Sequence, residues 1–336
     1  YAYATAGGND DRAYLHDSSG NDSFTARPTY GYLTGTGFYN YATGFDKVYA
    51  DATAGGSDDK AYLYDSAGDD AFTAGPTLAE LSGTGYYNSA SMFDKVYAYA
   101  TAGGNDDRAY LHDSSGNDTF AARPTYSYLT GTGFYNYVSG FDKVYADATA
   151  GGSDDKASLY DSAGDDTFTA GPTSAEMSGT GFYLSASMFD KVYAYATAGG
   201  TDDQAYLHDS SGNDTLIARP AYSYLSGTGF YNYASGFDKV YADAAAGGSD
   251  DKAYLYDSAG NDNFWAQAVD AVMSDGSLNN ADGSLVTAGA YYNRASRFDK
   301  VYAYGTAGGT NTRRINRPMD LALLSFYGPW VGDPWP

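Results

Sequence analysis

Aspartate is the residue whose type and spacing could do chemistry in this chain. An aspartate stands at every twenty-fourth position from Asp22 to Asp262 without a slip, and Asp299 resumes the series. Each is followed two positions later by Phe, Val or Leu and four positions later by Ala, which gives twelve copies of D-x-[FVL]-x-A. Every other member of the series is also preceded, five positions earlier, by a second aspartate such as Asp17.

Aspartates repeated this closely need a partner for their charge. Like carboxylates at short distance repel unless they are protonated, hydrogen-bonded or bridged by a cation. The net charge is −23, and 19 basic residues cannot neutralise 42 acidic ones. Oxygen-rich turns such as Gly20-Asn21-Asp22 suit calcium better than zinc.

The sequence therefore predicts Ca²⁺ near the paired aspartates of each 48-residue repeat. These are Asp17, Asp22, Asp65, Asp70, Asp113, Asp118, Asp161, Asp166, Asp209, Asp214, Asp257 and Asp262. A turn cap stays open as the alternative, in which each carboxylate only accepts backbone N–H groups. For the intervening series we favour the cap: Asp46, Asp94, Asp142, Asp190 and Asp238.

The segment Asp17-Ser-Ser-Gly-Asn-Asp-Ser-Phe24 resembles the RTX calcium-binding nonapeptide family, whose pattern is G-G-x-G-x-D-x-U-x. The resemblance implies a parallel β-roll that holds calcium between its turns. The segment departs from the family because Asp17-Ser18 replaces the leading glycine pair and because each 48-residue repeat contains only one such segment. The whole 48-residue unit is also similar to tandem units of very large predicted surface proteins of environmental bacteria, which implies export.

Composition excludes several classes of function. A strongly acidic surface repels nucleic acid and anionic lipid, so we expect neither as a partner. No cysteine is present for disulfides or thiolate metal sites. No segment is long and apolar enough to suggest a membrane span. The chain begins at Tyr1 inside a repeat, so we expect either a removed leader or a longer parent protein.

The repeats predict the fold. The hexapeptide FDKVYA recurs at a constant 48-residue spacing from Phe45 to Phe237, and alternate repeats match best, which gives a longer 96-residue unit. Alternating residues around Val48 predict short strands, and Gly/Asp segments and the prolines from Pro28 to Pro220 predict corners. We expect an all-β, right-handed parallel β-solenoid (β-helix) with about 24 residues per coil over 1–309. Val48 and Phe72 should then stack in adjacent coils, and Val48, Ala50, Ala52 and Ala54 should point inward.

Tyrosine is the other outstanding residue, with 37 copies. Neighbouring residues on a strand face opposite sides. We therefore expect the Leu/Tyr column that begins Leu15, Tyr39 to be buried and the adjacent column to form an exposed aromatic ladder. The predicted ladder contacts for glycans or lateral association are Tyr14, Tyr62, Tyr86, Tyr110, Tyr206 and Tyr254. The alternative is stacking between coils that only stiffens the fold.

Two segments break the repeat. An insertion within 267–290 is rich in Asp, Asn and Gly; it matches no EF-hand, and we interpret it as a surface loop rather than a metal site. Residues 310–336 carry Arg313, Arg314 and Arg317 and then Trp330 and Trp335. We interpret this tail as a C-terminal cap over the last coil, with an anchor or docking segment as the alternative.

The function expected from sequence is structural or adhesive. Repetition spreads every candidate group evenly, whereas an active site needs a unique constellation, so we expect no enzyme. The chain is interpreted as a calcium-stabilised rod, fibre segment or adhesin stalk at the bacterial cell surface. Its expected partners are neighbouring copies or further repeats end to end, and glycans. The alternative is a carbohydrate-binding or polysaccharide-processing β-helix, which a groove with unique residues near Trp265 and the insertion would favour.

Overall fold

The computed structural model describes residues 1–5, 7–8, 10–319 and 323–332, with no side-chain description for 317–319. Every regular element in these residues is a β-strand, and none is a helix that could cross a membrane. Two compact units are present. Unit 1 comprises 1–157 and 181–189, and unit 2 comprises 158–180 and 190–336.

The strands are short, as expected for alternating segments between turns. The first seventeen are β1 Ala2–Tyr3, β2 Arg12–His16, β3 Ser23–Arg27, β4 Tyr30–Gly35, β5 Phe38–Thr43, β6 Lys47–Asp51, β7 Lys60–Tyr64, β8 Ala71–Ala74, β9 Leu78–Gly83, β10 Tyr86–Ser91, β11 Lys95–Tyr99, β12 Arg108–His112, β13 Thr119–Arg123, β14 Tyr126–Gly131, β15 Phe134–Ser139, β16 Lys143–Asp147 and β17 Lys156–Tyr160. The others are β18 Thr167–Ala170, β19 Ser174–Gly179, β20 Phe182–Ser187, β21 Lys191–Tyr195, β22 Gln204–His208, β23 Thr215–Ala218, β24 Tyr222–Gly227, β25 Phe230–Ser235, β26 Lys239–Asp243, β27 Lys252–Tyr256, β28 Asn263–Ala268, β29 Asp270–Ser274, β30 Tyr292–Ser296, β31 Lys300–Tyr304, β32 Asn311–Met319, β33 Leu323–Tyr327 and β34 Trp330–Gly332.

In each unit the chain winds between two sheets. In unit 1, sheet 1 has the order β1-β5-β4-β3-β7-β11-β15-β14-β13, and sheet 2 has the order β2-β6-β10-β9-β8-β12-β16-β20. In unit 2, sheet 1 runs β21-β25-β24-β23-β27-β31-β33, and sheet 2 runs β19-β18-β22-β26-β30-β29-β28-β32-β34. This is a β-solenoid of stacked coils, as predicted.

The path of the chain explains the 96-residue unit. From β6 in sheet 2 the chain crosses to β7 in sheet 1 and returns to sheet 2 for the antiparallel meander β8-β9-β10. It then enters β11 in sheet 1, β12 in sheet 2 and the meander β13-β14-β15 in sheet 1. Each 48-residue repeat thus supplies three segments, an odd number. Successive repeats start on opposite sheets, and only a pair of repeats brings the chain back to the same sheet.

The predicted 24-residue coil is wrong. Val48 does not stack on Phe72; it is paired with Ala13 on one side and with Asn88 on the other. Phe72 is paired with Ala109 and with Leu81 of its own meander. The meanders are the reason, because they place three strands of one repeat side by side before the chain crosses over.

The core lies between the sheets of each unit and is built from the inward residues of every strand. Val48, Ala50 and Ala52 are buried as predicted, but Ala54 is exposed because β6 has already ended. Larger side chains in this core include Phe24 on β3 and Phe93 between β10 and β11, whose rings pack 6.1 Å apart in unit 1.

The prolines differ in part from the predicted arrangement. Pro76 does not mark a corner between sheets; it lies in the turn between β8 and β9, where Gly75 N–H donates to the carbonyl of Leu78 at 2.9 Å. In the tail, β32 pairs with β28 and β33 pairs with β31, so these residues extend the sheets of unit 2. Trp335, residues 320–322 and the side chain of Arg317 lie outside the described part of the chain.

Candidate functional site

Buried groups of three aspartates lie where the chain crosses between the sheets. Asp113 follows β12, Asp118 precedes β13, and Asp155 precedes β17. One carboxylate oxygen from each lies within 4.8 Å of the other two, and the three residues are 4%, 1% and 2% exposed. We name such a group an aspartate triad. Among the described residues the same arrangement recurs at Asp17/Asp22/Asp59 and Asp209/Asp214/Asp251.

Backbone N–H groups hold each triad in place. Asp118 Oδ2 accepts from the N–H of Ser114 at 2.9 Å and from its hydroxyl at 2.8 Å. Asp118 N–H donates to Asp155 Oδ1 at 2.7 Å, and Ala150 N–H donates to Asp113 Oδ1 at 2.9 Å. Each of the three carboxylates therefore caps a turn or a neighbouring coil, as the alternative for this series predicted.

These caps do not use every oxygen. Within the described part of the chain, Asp113 Oδ2 and Asp118 Oδ1 are buried and have no hydrogen-bond partner, and the same holds for Asp209 Oδ2, Asp214 Oδ1 and Asp17 Oδ2. A buried carboxylate oxygen without a partner costs free energy, because it has lost water and gained nothing. The unpartnered oxygens are thus the part of each triad that the protein alone leaves unsatisfied.

The intervening repeats satisfy the equivalent oxygens from within. Tyr86, 5% exposed, donates its hydroxyl to Asp70 Oδ1 at 2.9 Å, whereas the corresponding residue beside Asp118 is Phe134. Both oxygens of Asp65 accept from Ala102 N–H, at 3.0 and 2.9 Å.

In the last repeat, both a tyrosine and an asparagine donate hydrogen bonds to the equivalent aspartates. The Tyr291 hydroxyl donates to Asp262 Oδ1 at 2.7 Å. Asn311 stands where the other repeats have a third aspartate, and its amide donates to Asp257 Oδ2 at 2.9 Å.

Burial makes four of the triad carboxyls reluctant to ionise. It raises the pKa of Asp113, Asp209, Asp59 and Asp251, and nearby aspartates raise it further. In an intervening repeat, burial raises the pKa of Asp107 to about 6 despite its hydrogen bond from Asp70 N–H. Binding of a proton or a cation to these buried carboxylates would therefore be favourable.

The sequence located two members of each triad and missed the third. The predicted pairs Asp17/Asp22, Asp113/Asp118 and Asp209/Asp214 lie in triads, while Asp65/Asp70, Asp161/Asp166 and Asp257/Asp262 belong to no such group among the residues that the structure describes. The third member is the second aspartate of the G-G-x-D-D segment, such as Asp59, 37 residues after Asp22. Its regular recurrence was visible, but only the strand register brings it to Asp22.

Aspartates of the Asp46 series act as caps between coils. Asp46 Oδ2 accepts from Asp11 N–H and Asp94 Oδ2 from Asp59 N–H, both at 2.8 Å. On the surface, the first aspartate of each G-G-x-D-D segment pairs instead with basic side chains. Asp58 contacts Lys60 Nζ at 2.7 Å and Lys95 Nζ at 2.8 Å, and hydrogen bonds from these lysines lower its pKa. The charge of these surface aspartates is therefore offset by neighbouring cations.

The outer face of sheet 1 carries dense tyrosine clusters. In unit 1, eight tyrosines are linked by ring contacts: Tyr62, Tyr64, Tyr97, Tyr99, Tyr126, Tyr128, Tyr135 and Tyr137. In unit 2, seven are linked in the same way: Tyr160, Tyr193, Tyr195, Tyr222, Tyr224, Tyr231 and Tyr233. We call this surface the tyrosine face. Burial raises the pKa of Tyr135 and Tyr231 to about 12, so these phenols stay protonated near neutral pH.

Sheet 2 carries short tyrosine rows instead. Tyr110, Tyr145 and Tyr183 form one such row, with ring centroids 5.1 and 5.5 Å apart. The residues beside them on this face include Ser185 and Asp147 rather than further tyrosines. The two faces therefore differ in chemistry although they are built from the same repeat.

The predicted aromatic ladder is only partly right. Tyr14 is 59% exposed, and Tyr62, Tyr110, Tyr206 and Tyr254 are partly exposed on outer faces, but Tyr86 is buried against Asp70 and does not belong to the ladder. The ladder does not follow the 24-residue period either, because Tyr62 stacks at 5.2 Å on Tyr97 and not on Tyr86. The column predicted to be buried is buried only at its leucines, since Tyr39 is 45% exposed.

The insertion forms a cleft on the outer face of sheet 2 in unit 2. It replaces the short turn between β29 and β30 and covers Trp265, whose indole N–H donates to the Asn280 carbonyl at 3.2 Å. A cleft of about 280 Å³ is lined by Lys239, Tyr241, Ser284, Leu285, Tyr292 and Arg294. The loop aspartates Asp275 and Asp282 accept backbone N–H groups, in keeping with a surface loop.

No protein-family model, no curated protein and no solved structure matches this chain.

Proposed function

We propose that this chain is a structural and adhesive repeat segment of an extracellular protein, stabilised by calcium, with the tyrosine face as its contact surface. The observation that carries the proposal is the recurrence of the tyrosine cluster on sheet 1 of each unit. Aromatic side chains supply large contact areas and combine an apolar ring with a hydroxyl that can hydrogen-bond. A regular array of them offers the same contact many times over, which suits multivalent adhesion.

The resemblance to bacterial surface repeats supports an extracellular location, and the likeness to the RTX nonapeptide supports calcium. The outer ion pairs, such as Asp58 with Lys60 and Lys95, give the fold a polar surface around the tyrosines. The contacts that we propose for this face are neighbouring copies of the chain and glycans.

Matched double variants test the tyrosine face. Tyr62 and Tyr97 stack at 5.2 Å on sheet 1, and Tyr110 and Tyr145 stack at 5.1 Å at the same repeat positions on sheet 2. Serine is tolerated by the fold at this site, because Ser158 occupies the position equivalent to Tyr62. We expect Tyr62→Ser/Tyr97→Ser to weaken self-association, measured by sedimentation velocity, or glycan-array binding, and Tyr110→Ser/Tyr145→Ser to leave them near wild type. Equal behaviour of the two double variants, each with wild-type circular dichroism, would remove the tyrosine face from the proposal.

A second candidate function is carbohydrate binding at the insertion. The cleft beside the insertion combines two tyrosine rings, Tyr241 and Tyr292, 5.6 Å apart, with Lys239 and Arg294. On the described surface of unit 1, the equivalent rings of Tyr145 and Tyr183 lie beside the short turn instead of such a loop. Replacing residues 275–290 with the Gly-Thr-Gly turn of Gly83–Gly85 tests it: loss of glycan binding with the tyrosine face intact would place the glycan site here.

A further inference from the structure

We infer that the three aspartate triads are calcium sites in which Asp59, Asp155 and Asp251 supply the third carboxylate, and that tyrosine in the second repeat, and tyrosine with asparagine in the sixth, replace the cation. The inference deepens the calcium part of the proposed function and is independent of adhesion. It predicts three ions per chain among the described residues, one for each 96-residue unit, rather than one for each of the twelve D-x-[FVL]-x-A segments.

The unpartnered oxygens carry this inference. Asp118, 1% exposed, has one oxygen bound by Ser114 and the other without a partner among the described residues, and Asp113, 4% exposed, likewise has one unused oxygen. Three hard carboxylate oxygens within 4.8 Å of one another are the kind of ligands that calcium takes. A single divalent ion would satisfy the unused oxygens and offset most of the triad's charge.

The intervening repeats show the same position filled by the protein. The Tyr86 hydroxyl donates at 2.9 Å to Asp70 Oδ1, the oxygen that corresponds to the unpartnered Asp118 Oδ1. The hydroxyl therefore lies at the position equivalent to the unpartnered oxygen of a triad. Phe134 and Phe230 have no hydroxyl, and it is beside them that Asp118 Oδ1 and Asp214 Oδ1 are unpartnered.

Asn311 lowers the number of carboxylates at the equivalent place in the sixth repeat. It accepts the N–H of Asp262 as the third aspartate does elsewhere, and its amide donates to Asp257, so two carboxylates remain where the other repeats have three. The protein thus uses a phenol, an amide or, we infer, a cation at equivalent places. In the fourth repeat, Ser162 Oγ donates to Asp166 Oδ1 at 3.1 Å, as Ser18 does to Asp22 in the first triad. There, however, both oxygens of Asp161 accept from Ala198 N–H, at 3.0 and 2.9 Å, and the residues described form no triad.

Counting bound calcium in conservative variants tests the inference. The purified chain is stripped with EGTA and titrated with calcium chloride in excess magnesium by isothermal titration calorimetry. A second sample is dialysed against the same calcium and magnesium buffer, and its bound calcium is counted by atomic emission. Asp155→Asn copies Asn311 and keeps an acceptor for Asp118 N–H, so the fold should survive. We expect it to lose one of three ions, while Asp107→Asn, at the same position of an intervening repeat, retains all three.

The aromatic position gives a test that leaves every carboxylate in place. Phe134→Tyr should lose one ion because its hydroxyl would donate to Asp118, whereas Phe182→Tyr in the fourth repeat should not change the count. The inference is overturned if Asp155→Asn and Phe134→Tyr bind as many ions as the wild-type chain, or if the wild-type chain binds calcium only at surface sites that magnesium displaces.

Discussion

Gly131 gives the sharpest test of how the triads are built. It lies at the end of β14, and a Cβ at this position would stand 1.5 Å from Asp118 Oδ1 and 2.6 Å from the Phe134 ring. Its backbone φ is not in the left-handed region, so an alanine would be strained only by this contact. Gly131→Ala must therefore expel the Asp118 carboxylate from its place.

The cost follows from the hydrogen bonds that would be broken. Asp118 accepts two from Ser114, at 2.9 and 2.8 Å, and hydrogen bonds to a charged group contribute about 1.5–3 kcal/mol each. The expected loss in the free energy of unfolding is therefore roughly 3–6 kcal/mol. Two glycines of the same repeat serve as controls. Gly116→Ala meets nothing closer than 3.4 Å and should cost less than about 1 kcal/mol, while Gly133→Ala, at φ +82° in open space, should cost about 1–2 kcal/mol.

Urea unfolding followed by circular dichroism gives the global effect. Hydrogen exchange of peptides covering 108–139 gives the local effect, which matters because repeat proteins can unfold in parts. If Gly131→Ala proves as stable as Gly116→Ala, with unchanged exchange around β12 to β15, then Asp118 is not held where the structure places it and the reasoning about the triads is wrong.

Three further predictions concern charge and packing. Burial raises the pKa of Asp107 and Asp203 from 3.8 to about 6. The folded state therefore binds more protons than the unfolded state between these two pH values. Stability should fall as the pH rises from about 4 to 6, by up to about 3 kcal/mol per group. Urea midpoints across this range should show a shallower fall for Asp107→Asn. Asn311→Asp should lower the melting temperature in EGTA, because it adds a third carboxylate beside Asp257, and millimolar calcium should restore it if a triad has been created. Trp265→Ala should cost about 3–5 kcal/mol, since this side chain is 3% exposed under the insertion, and an unchanged urea midpoint would show that the insertion does not pack there.

The sequence was sufficient to predict the class of fold but not the coil. Alternation around Val48 predicted inward small residues, and the structure confirms Val48, Ala50 and Ala52. The 24-residue register failed because D-x-[FVL]-x-A opens both the single strands and the meanders, and local alternation cannot tell them apart. The missed signal was the hairpin turn Thr36-Gly37, whose glycine has φ +86° between two alternating segments.

The candidate sites were predictable to the extent that they are local. Asp17 and Asp22 belong to one turn, so their proximity follows from sequence spacing alone. Asp59 reaches Asp22 only through a pairing offset of 37 residues, which depends on how many strands the intervening meander uses. Tyr86 was misplaced for a related reason, since its position at the start of β10 lies under the hairpin beside Asp70 and not on an open face.

The odd number of segments per repeat has a consequence for function. Because the number is odd, each position of the 48-residue repeat falls on sheet 1 in one repeat and on sheet 2 in the next. The two faces can therefore differ only because alternate repeats differ in sequence. Tyr30 and Tyr32 on β4 of sheet 1 correspond to Leu78 and Glu80 on β9 of sheet 2. The triads obey the same alternation, since Asp118 has an unpartnered oxygen where the equivalent oxygen of Asp70 is bound by a tyrosine. The tyrosine face and the inferred calcium sites thus share one period of 96 residues. Each pair of 48-residue repeats would add one cation and one tyrosine cluster together.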